Sequence, residues 1–260
     1  MLKFLPLIAV NLLALSHLAS TARAEIAVKS GEKIAFLGDS ITAAGWGDAQ
    51  GYVKLVMAGL AANGVTAEAV PAGISGHKSN QMLARLDNDV LSKKVLWMTL
   101  SCGVNDVWHG VNGVRLDDAD AAAHPTEPVK GGEPERGTYK KNITAIADKA
   151  AAAGVKVVVL TATVIHEKLD NEENARLAPY NDFLRALAAE RKLPLADVNA
   201  MFQERIKAAN QPNAKVLTSD GVHLNAEGNR VMATGVLKAF GFGEAELKKA
   251  QDAWAALPAK

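Results

Sequence analysis

The stretch FLGDSIT, residues 36–42, ends a short apolar run with Gly-Asp-Ser. It places the hydroxyl of Ser40 directly after the point where a buried parallel strand would end. Serine in this position is also a common cap for a following helix, so the stretch alone does not establish a nucleophile. Three further segments add a base, an acid and donors for an oxyanion. They are Gly73, residues 103–106 (GVND) and residues 220–223 (DGVH).

The composition of the chain is that of a single sizeable α/β domain. The 260 residues are 49% hydrophobic and 22% charged, which suits one large core and argues against disorder. Basic and acidic residues number 29 and 28, for a formal net charge of +1. Such a balanced chain has no overall field that favours an anionic polymer or membrane. We therefore expect no nucleic acid and a small or uncharged partner.

The first 24 residues differ from the rest. Lys3 precedes an apolar run over residues 4–15, and small residues then lead to the Ala-Arg-Ala sequence at 22–24, which fits the small-x-small rule of signal-peptidase cleavage. The run is shorter than the roughly 20 apolar residues that span a bilayer. We predict a signal peptide over residues 1–24, a secreted or periplasmic location, and no stable membrane insertion after cleavage. An uncleaved anchor is the alternative.

Cys102 is the only cysteine of the chain. An intrachain disulfide is therefore impossible, even in an oxidising compartment. The residue ends the apolar run 95–101, where a small buried thiol is expected rather than a nucleophile.

Short apolar runs alternate with longer amphipathic segments from residue 25 to residue 260. This alternation predicts a parallel sheet of about five strands with helices on both faces. Such a sheet binds its ligand beside the carboxyl ends of its strands, where Ser40, Gly73 and Asn105 would meet. The predicted strands are residues 33–37, 66–71, 95–101, 155–161 and 195–198, and the predicted helices are 52–62, 79–91, 138–153, 175–191 and 226–240.

His223 is the best candidate for a base among the six histidines. A serine hydroxyl is a weak nucleophile until a neighbouring base takes its proton. Asp220, three residues upstream, is close enough to accept a hydrogen bond from Nδ1 and to leave Nε2 facing Ser40. The backbone N–H groups of Ser40 and Gly73, with the amide of Asn105, would stabilise a tetrahedral oxyanion.

These four blocks resemble those of the SGNH, or GDSL-type, hydrolases, over about residues 33–240. The resemblance implies that Ser40, Asp220 and His223 are catalytic, and that Ser40, Gly73 and Asn105 form the oxyanion hole. It also implies a flavodoxin-like three-layer α/β/α sandwich, ester or thioester hydrolysis through an acyl-enzyme, and neither a metal nor an organic cofactor.

The sequence around the serine differs from that of the larger α/β-hydrolase fold. Ser40 lies in Gly-Asp-Ser-Ile-Thr rather than in Gly-x-Ser-x-Gly, which disfavours the nucleophile elbow of that fold. The resemblance implies that Asp39 organises the loop and is not a second acid. His166-Glu167 lacks the second histidine that a zinc-binding helix needs.

Several rings and segments near the blocks are candidates for the substrate pocket. Aromatic side chains often line sites that bind sugars or acyl groups, although core or surface positions explain them equally well. Residues 111–137 show little periodicity and are predicted to form a long loop or lid, with a surface insertion as the alternative. Residues 243–260 are predicted to end the domain with a helix. The candidate pocket residues are Trp46, His77, Trp108 and His109.

The leading interpretation is an exported serine esterase that acts on short-chain, acetyl esters of carbohydrates. Lysophospholipase, thioesterase and arylesterase activities use the same four blocks. A non-catalytic carbohydrate-binding protein that retains the fold, or an acyltransferase, are further alternatives. The sequence leaves the oligomeric state open.

Overall fold

The computed structural model describes residues 25–211 and 214–258, so the predicted signal peptide lies outside the described residues. Five parallel strands form one sheet in the order β2-β1-β3-β4-β5. The predicted parallel sheet of five strands is confirmed. The strands are β1 (Lys33–Gly38), β2 (Glu68–Gly73), β3 (Trp97–Ser101), β4 (Lys156–Leu160) and β5 (Leu195–Ala196).

Helices cover both faces of the sheet, as expected for a three-layer α/β/α sandwich. On one face α2, α9 and α10 pack against one another, and on the other α6 packs against α3 and α7. The helices are α1 (Ser40–Gly47), α2 (Tyr52–Ala62), α3 (Ser79–Asp89), α4 (Val104–Trp108), α5 (Asp118–Ala123), α6 (Tyr139–Ala152), α7 (Glu172–Arg191), α8 (Val198–Ala209), α9 (Ala226–Ala239) and α10 (Glu244–Ala255).

Strands β1 and β3, two of the three inner strands, are almost wholly buried. Every residue of β3 is buried, and in β1 only Lys33 is partly exposed. Strands covered on both faces are continuous apolar runs rather than alternating ones, which is why the sequence pattern located them. Aromatic rings close the core next to them: Trp97 meets Phe240 edge-on with ring centroids 5.5 Å apart.

Four helices of the described chain were not predicted from the sequence: the short helices α4 and α5, and the longer helices α1 and α8. Helix α1 begins directly after β1, where Asp39 caps it by accepting a hydrogen bond of 2.9 Å from the Ile41 N–H. Helix α8 follows β5 after the single residue Asp197. The predicted fifth strand, residues 195–198, is therefore two residues too long at its end, because Asp197 and Val198 belong to the start of α8.

The segment 111–137 is more ordered than the predicted loop. It contains α5 and the end of a 3-10 turn, Gly110–Asn112. Two buried arginines form hydrogen bonds within the segment. Arg115 donates to the His124 carbonyl at 2.7 Å, and Arg136 donates to the Glu127 carbonyl at 2.5 Å. Its role as a lid stays a prediction.

Helix α10 lies within the segment predicted to form a C-terminal helix. Trp254 is buried, and its indole N–H donates to the Leu55 carbonyl of α2 at 2.7 Å. This contact fixes the end of the described chain to the helical layer that also contains α9.

Candidate active site

Three of the predicted site residues lie at the carboxyl edge of the sheet. Ser40 is the first residue of α1, which follows β1 after the single residue Asp39. Gly73 is the last residue of β2 and pairs in register with Gly38. Asn105 lies in α4, just after β3. Since parallel strands end at one edge, the fold brings these three segments together.

His223 contacts both of its predicted partners. Its Nε2 lies 3.0 Å from Ser40 Oγ, and its Nδ1 lies 2.6 Å from Asp220 Oδ2. An ionised carboxylate only accepts hydrogen bonds, so Nδ1 carries the ring proton and Nε2 accepts one from the Ser40 hydroxyl. This arrangement allows an imidazole to take a proton from a serine.

The carboxylate of Asp220 is held in its ionised form. Partial burial opposes ionisation, but the hydrogen bond from the His223 ring and those from the backbone N–H groups of Val222 and His223 outweigh it. The two backbone hydrogen bonds measure 2.9 and 2.8 Å. Together these contacts keep the pKa of Asp220 well below its ordinary value. Asp220 is therefore an anion at neutral pH and fixes the orientation of the ring.

Gly73 is in direct contact with the helix that carries Ser40. A Cβ at Gly73 would lie 2.7 Å from the carbonyl carbon of Thr42 and would collide with the backbone nitrogen of Ala43. The next N–H, that of Ile74, donates to β1, so by the alternation of a strand the Gly73 N–H faces away from β1. Only glycine allows this close approach of β2 to α1.

The side chain of Asn105 is oriented by one hydrogen bond. Its Nδ2 donates to the His77 carbonyl at 3.1 Å. A side-chain amide has two N–H donors, so one remains for a second acceptor. Asn105 is buried, which makes that donor rigid and shields it from water.

The model of the GDSL-like lipase/acylhydrolase family matches residues 36–231. The chain belongs to this family. The match includes all four blocks that carried the resemblance, and the family expected from them is confirmed.

Known proteins similar to this GDSL-family chain include characterised esterases. A curated acetylxylan esterase of Geobacillus stearothermophilus is 26% identical over 238 residues, which cover 83% of this chain and 96% of the relative. The crystal structure of the acetyl xylan esterase AlAXEase is 33% identical, with a TM-score of 0.66, over 80% of this chain and 98% of that one. An alpha/beta hydrolase enzyme from the metagenome of Lake Arreo, Spain, is 26% identical with a TM-score of 0.66, over 84% and 98%. The protein is a carboxylic ester hydrolase.

Arg85 links two parts of this GDSL-family site, and the sequence analysis missed it. Its Nη2 donates to the Gly38 carbonyl at 2.9 Å and its Nε to His77 Nδ1 at 3.1 Å, while Nη1 pairs with Asp89 at 2.9 Å. Partial burial and the charge of Arg85 lower the pKa of His77, so this ring is neutral at pH 7. Arg85 thereby supports the segment whose carbonyl orients Asn105. An arginine on an amphipathic helix gave no sequence signal for this role.

The predicted pocket residues occupy different places in the hydrolase. Trp108 is 39% exposed, and its ring meets those of His109 and His166 at centroid distances of 6.2 and 6.3 Å. His166 in turn donates its backbone N–H to the Gly221 carbonyl beside Asp220, at 2.8 Å. Trp108 therefore lies next to the segment that carries Asp220.

Trp46 has different neighbours from those of Trp108. It is in the last turn of α1, where its ring packs against the core and the Nζ of Lys54 lies 3.4 Å from the ring centroid. A cation–π contact of this kind stabilises the helix pair α1 and α2. The predicted pocket roles of Trp46, His77, Trp108 and His109 stay predictions.

Among the described residues, no group of three or more His, Cys, Asp and Glu side chains is arranged to hold a metal ion. Within residues 25–211 and 214–258 we also find no helix that is long and apolar enough to cross a membrane. His166 and Glu167 precede α7 rather than lying on it, so they do not have the helical spacing of a zinc-binding motif.

Two buried carboxyl groups lie near Ser40 and Asn105. Asp39 is buried at the start of α1, and desolvation raises its pKa from an ordinary 3.8 to about 6. Asp106 accepts hydrogen bonds from the Ser79 N–H at 3.0 Å and the Cys102 thiol at 3.4 Å, and burial raises its pKa as well. Burial also raises the pKa of Cys102, so its thiol is not a competing nucleophile.

Asp39→Asn should flatten the pH dependence of stability. Because the folded state holds the Asp39 proton more tightly than the unfolded chain, stability falls as pH rises from about 4 through about 6. The shift corresponds to a loss of about 3 kcal/mol. Urea unfolding at pH 4 and pH 8 should show a loss of stability that is smaller in the variant than in the wild type by about this amount, while the loss that comes from Asp106 remains in both. The exposed Asp118→Asn variant is the control, and an equal loss in Asp39→Asn would contradict the prediction.

Proposed function

We propose that this hydrolase is exported and removes acetyl groups from carbohydrate esters through a serine acyl-enzyme. The observation that carries the mechanism is the continuous hydrogen-bonded chain from Ser40 Oγ through His223 to Asp220. The family and the acetylxylan esterases among its relatives support the ester chemistry. The signal-peptide pattern of residues 1–24 supports export.

In the first half-reaction, the Ser40 hydroxyl attacks the acetyl carbonyl carbon while His223 Nε2 accepts its proton. The resulting oxyanion accepts hydrogen bonds from the backbone N–H groups of Ser40 and Gly73 and from the free N–H of Asn105. The bond to the sugar oxygen then breaks, and the imidazolium returns its proton to that oxygen. The deacetylated sugar leaves, and the acetyl group remains on Ser40.

The second half-reaction releases acetate. Water gives a proton to His223 Nε2, and its oxygen attacks the acetyl carbonyl carbon. Collapse of the second tetrahedral intermediate breaks the bond to Ser40 Oγ, which takes the proton back from the ring. Asp220 stays ionised throughout and stabilises the imidazolium each time it forms.

The surroundings of the oxyanion donors favour a short acyl group on a large alcohol. Ile74, directly after Gly73, is 39% exposed, as is Trp108 at the end of the helix that carries Asn105. The exposed ring of Trp108 is a flat surface of the kind on which sugars stack. A long acyl chain would need a deep apolar groove.

A substrate series tests this proposal. We expect residues 25–260 to hydrolyse p-nitrophenyl acetate with kcat/KM at least roughly tenfold above that for the octanoate, and to release acetate from acetylated xylooligosaccharides. Butyrate should lie between the two, because it adds two methylene groups to the acyl pocket. The Ser40→Ala variant gives the background rate of ester hydrolysis. A preference for octanoate, or no acetate from the oligosaccharide, would contradict the acetyl-carbohydrate assignment.

A further inference from the structure

The catalytic base and acid lie on a segment without helix or strand. We call residues 216–223 the triad loop; it lies between α8 and α9. One isolated antiparallel bridge, Thr218 with Leu224, and a hydrogen bond of 2.8 Å from the Ser219 N–H to the His223 carbonyl order it internally. Such contacts shape the turn but do not fix its position relative to Ser40.

The start of the triad loop donates hydrogen bonds to the Glu167 carboxylate. Glu167 lies in a different part of the chain, before α7. Its Oε2 accepts the Val216 N–H at 2.6 Å, and its Oε1 accepts the N–H groups of Leu217 and Thr218 at 2.9 and 2.7 Å. The Thr218 hydroxyl donates to the same Oε1 at 2.6 Å. Three successive N–H groups that converge on one anion form a concave anion-binding site. Charge-assisted hydrogen bonds of this kind are about twice as strong as neutral ones.

The contact continues from Thr218 to the catalytic turn. While the buried Thr218 hydroxyl donates to Glu167, its oxygen accepts the Gly221 N–H at 3.1 Å. The carbonyl of Gly221 accepts the His166 N–H at 2.8 Å. The backbone N–H of Gly221 is thus linked to Glu167 through Thr218, and its carbonyl is bonded directly to His166.

That turn is itself fixed to the fold. The Asn174 side chain on α7 accepts the Ile165 N–H at 2.9 Å and donates to the Ile165 carbonyl at 2.9 Å. His166 has a φ of 56°, a left-handed conformation that a non-glycine residue adopts only where its surroundings hold it there. The turn therefore connects the triad loop to the rigid start of α7.

We propose that Glu167 is a positioning residue of the hydrolytic reaction: through Thr218 and Gly221, its carboxylate holds Asp220 and His223 in line with Ser40. The inference rests on the proposed serine mechanism. Glu167 contacts none of the reacting atoms, so its effect is on the geometry of the base rather than on the substrate.

Glu167→Gln tests the role because the two side chains have nearly the same size. The neutral amide loses the charge that attracts three N–H groups, and its own NH₂ group faces donors. Since a misplacement of 1 Å can cost about 100-fold in rate, we expect kcat on p-nitrophenyl acetate to fall about 10- to 100-fold. KM should change less than about twofold, because substrate contacts remain.

A matched control separates positioning from stability. Glu32 also accepts a backbone N–H, that of Lys29 at 2.9 Å, and the Trp97 indole N–H at 2.8 Å, but it precedes β1 at the opposite edge of the sheet. Glu32→Gln should lower Tm and leave kcat unchanged at a temperature where both variants are folded. An equal fall of kcat in both variants would show that general destabilisation explains the effect.

Thr218 supplies a test that does not require the Glu167 variant to fold. Thr218→Val removes the hydroxyl that joins Glu167 to Gly221 and should lower kcat about tenfold. Thr218→Ser retains the hydroxyl and should keep kcat within about twofold of wild type. Equal activity of the valine and serine variants would overturn the role of this contact.

The activities of Glu167→Gln and Ser40→Ala distinguish the positioning role from the serine mechanism. Full activity of folded Glu167→Gln, beside an inactive Ser40→Ala, would overturn the positioning role alone. Wild-type activity of Ser40→Ala would overturn the serine mechanism itself, whatever the Glu167 variant does.

Discussion

Replacement of Ser40 with alanine should lower kcat/KM on p-nitrophenyl acetate by at least about 10⁴-fold. The hydroxyl lies 3.0 Å from His223 Nε2, and without it no acyl-enzyme can form. The oxyanion donors and the base remain, but they can only assist attack by water, so a small residual rate is expected. The measurement is the steady-state rate at pH 7.5, with protein concentration set by absorbance.

The Ser40→Ala protein should keep its fold. Ser40 is the first residue of α1, and alanine is a good helix former. The unfolding midpoint in urea should therefore stay close to that of the wild type. A fluorophosphonate probe should label the wild type at Ser40 and leave the variant unlabelled. Ser92→Ala is a suitable control, because the Ser92 hydroxyl donates only to a neighbouring carbonyl, that of Asn88. More than about 1% residual activity would contradict a serine nucleophile.

Asp220→Asn should lower kcat by about 10⁴-fold, the size of effect that the same exchange has in a serine protease triad. The Asn oxygen can still accept the backbone N–H groups of Val222 and His223. Its NH₂ group then faces His223 Nδ1, which must become an acceptor. The ring proton moves to Nε2, where it points at Ser40 and prevents the imidazole from accepting the hydroxyl proton.

The Asp220 effect should appear in kcat rather than in KM, since the substituted side chain lies behind the ring. Asp118→Asn removes one negative charge from an exposed residue that pairs with Lys141, and it should leave both constants unchanged. Nitrogen-15 NMR of the imidazole in Asp220→Asn should show the proton on Nε2. Retention of more than about 10% of the wild-type kcat would contradict the assignment of Asp220 as the orienting acid.

The strands of the sheet could be predicted because their burial leaves a simple mark in the sequence. Strands β1 and β3 are mostly apolar, and β2 differs from its prediction by two residues at each end. Helix α1 left no such mark, because small, apolar and β-branched residues occur all around it and give no amphipathic stripe. Helix α8 follows a strand of only two residues. So short a strand leaves no clear sequence boundary between itself and the helix.

Some residues of the candidate site could be predicted from the sequence, and others could not. Ser40, Asp220 and His223 occur in short blocks whose residue types and spacing suggested a triad, and the structure brings their side chains into contact. Their catalytic roles stay predictions. The roles inferred for Glu167 and Arg85 come from backbone and side-chain groups that only the folded chain brings to them. Glu167 contacts residues about 50 positions away, and Arg85 contacts Gly38, 47 positions away. A single sequence has no local signal for such contacts.

The hydrogen bond between Ser40 and His223 joins residues that are 183 positions apart. Contacts this distant in sequence form late, after the loops between them have closed. A nascent or truncated chain that lacks the segment after α8 has Ser40 without His223, so under the proposed serine mechanism it should not act on esters. If the proposed serine mechanism holds, ester hydrolysis therefore reports on completion of the entire fold, including the last fifth of the chain after α8.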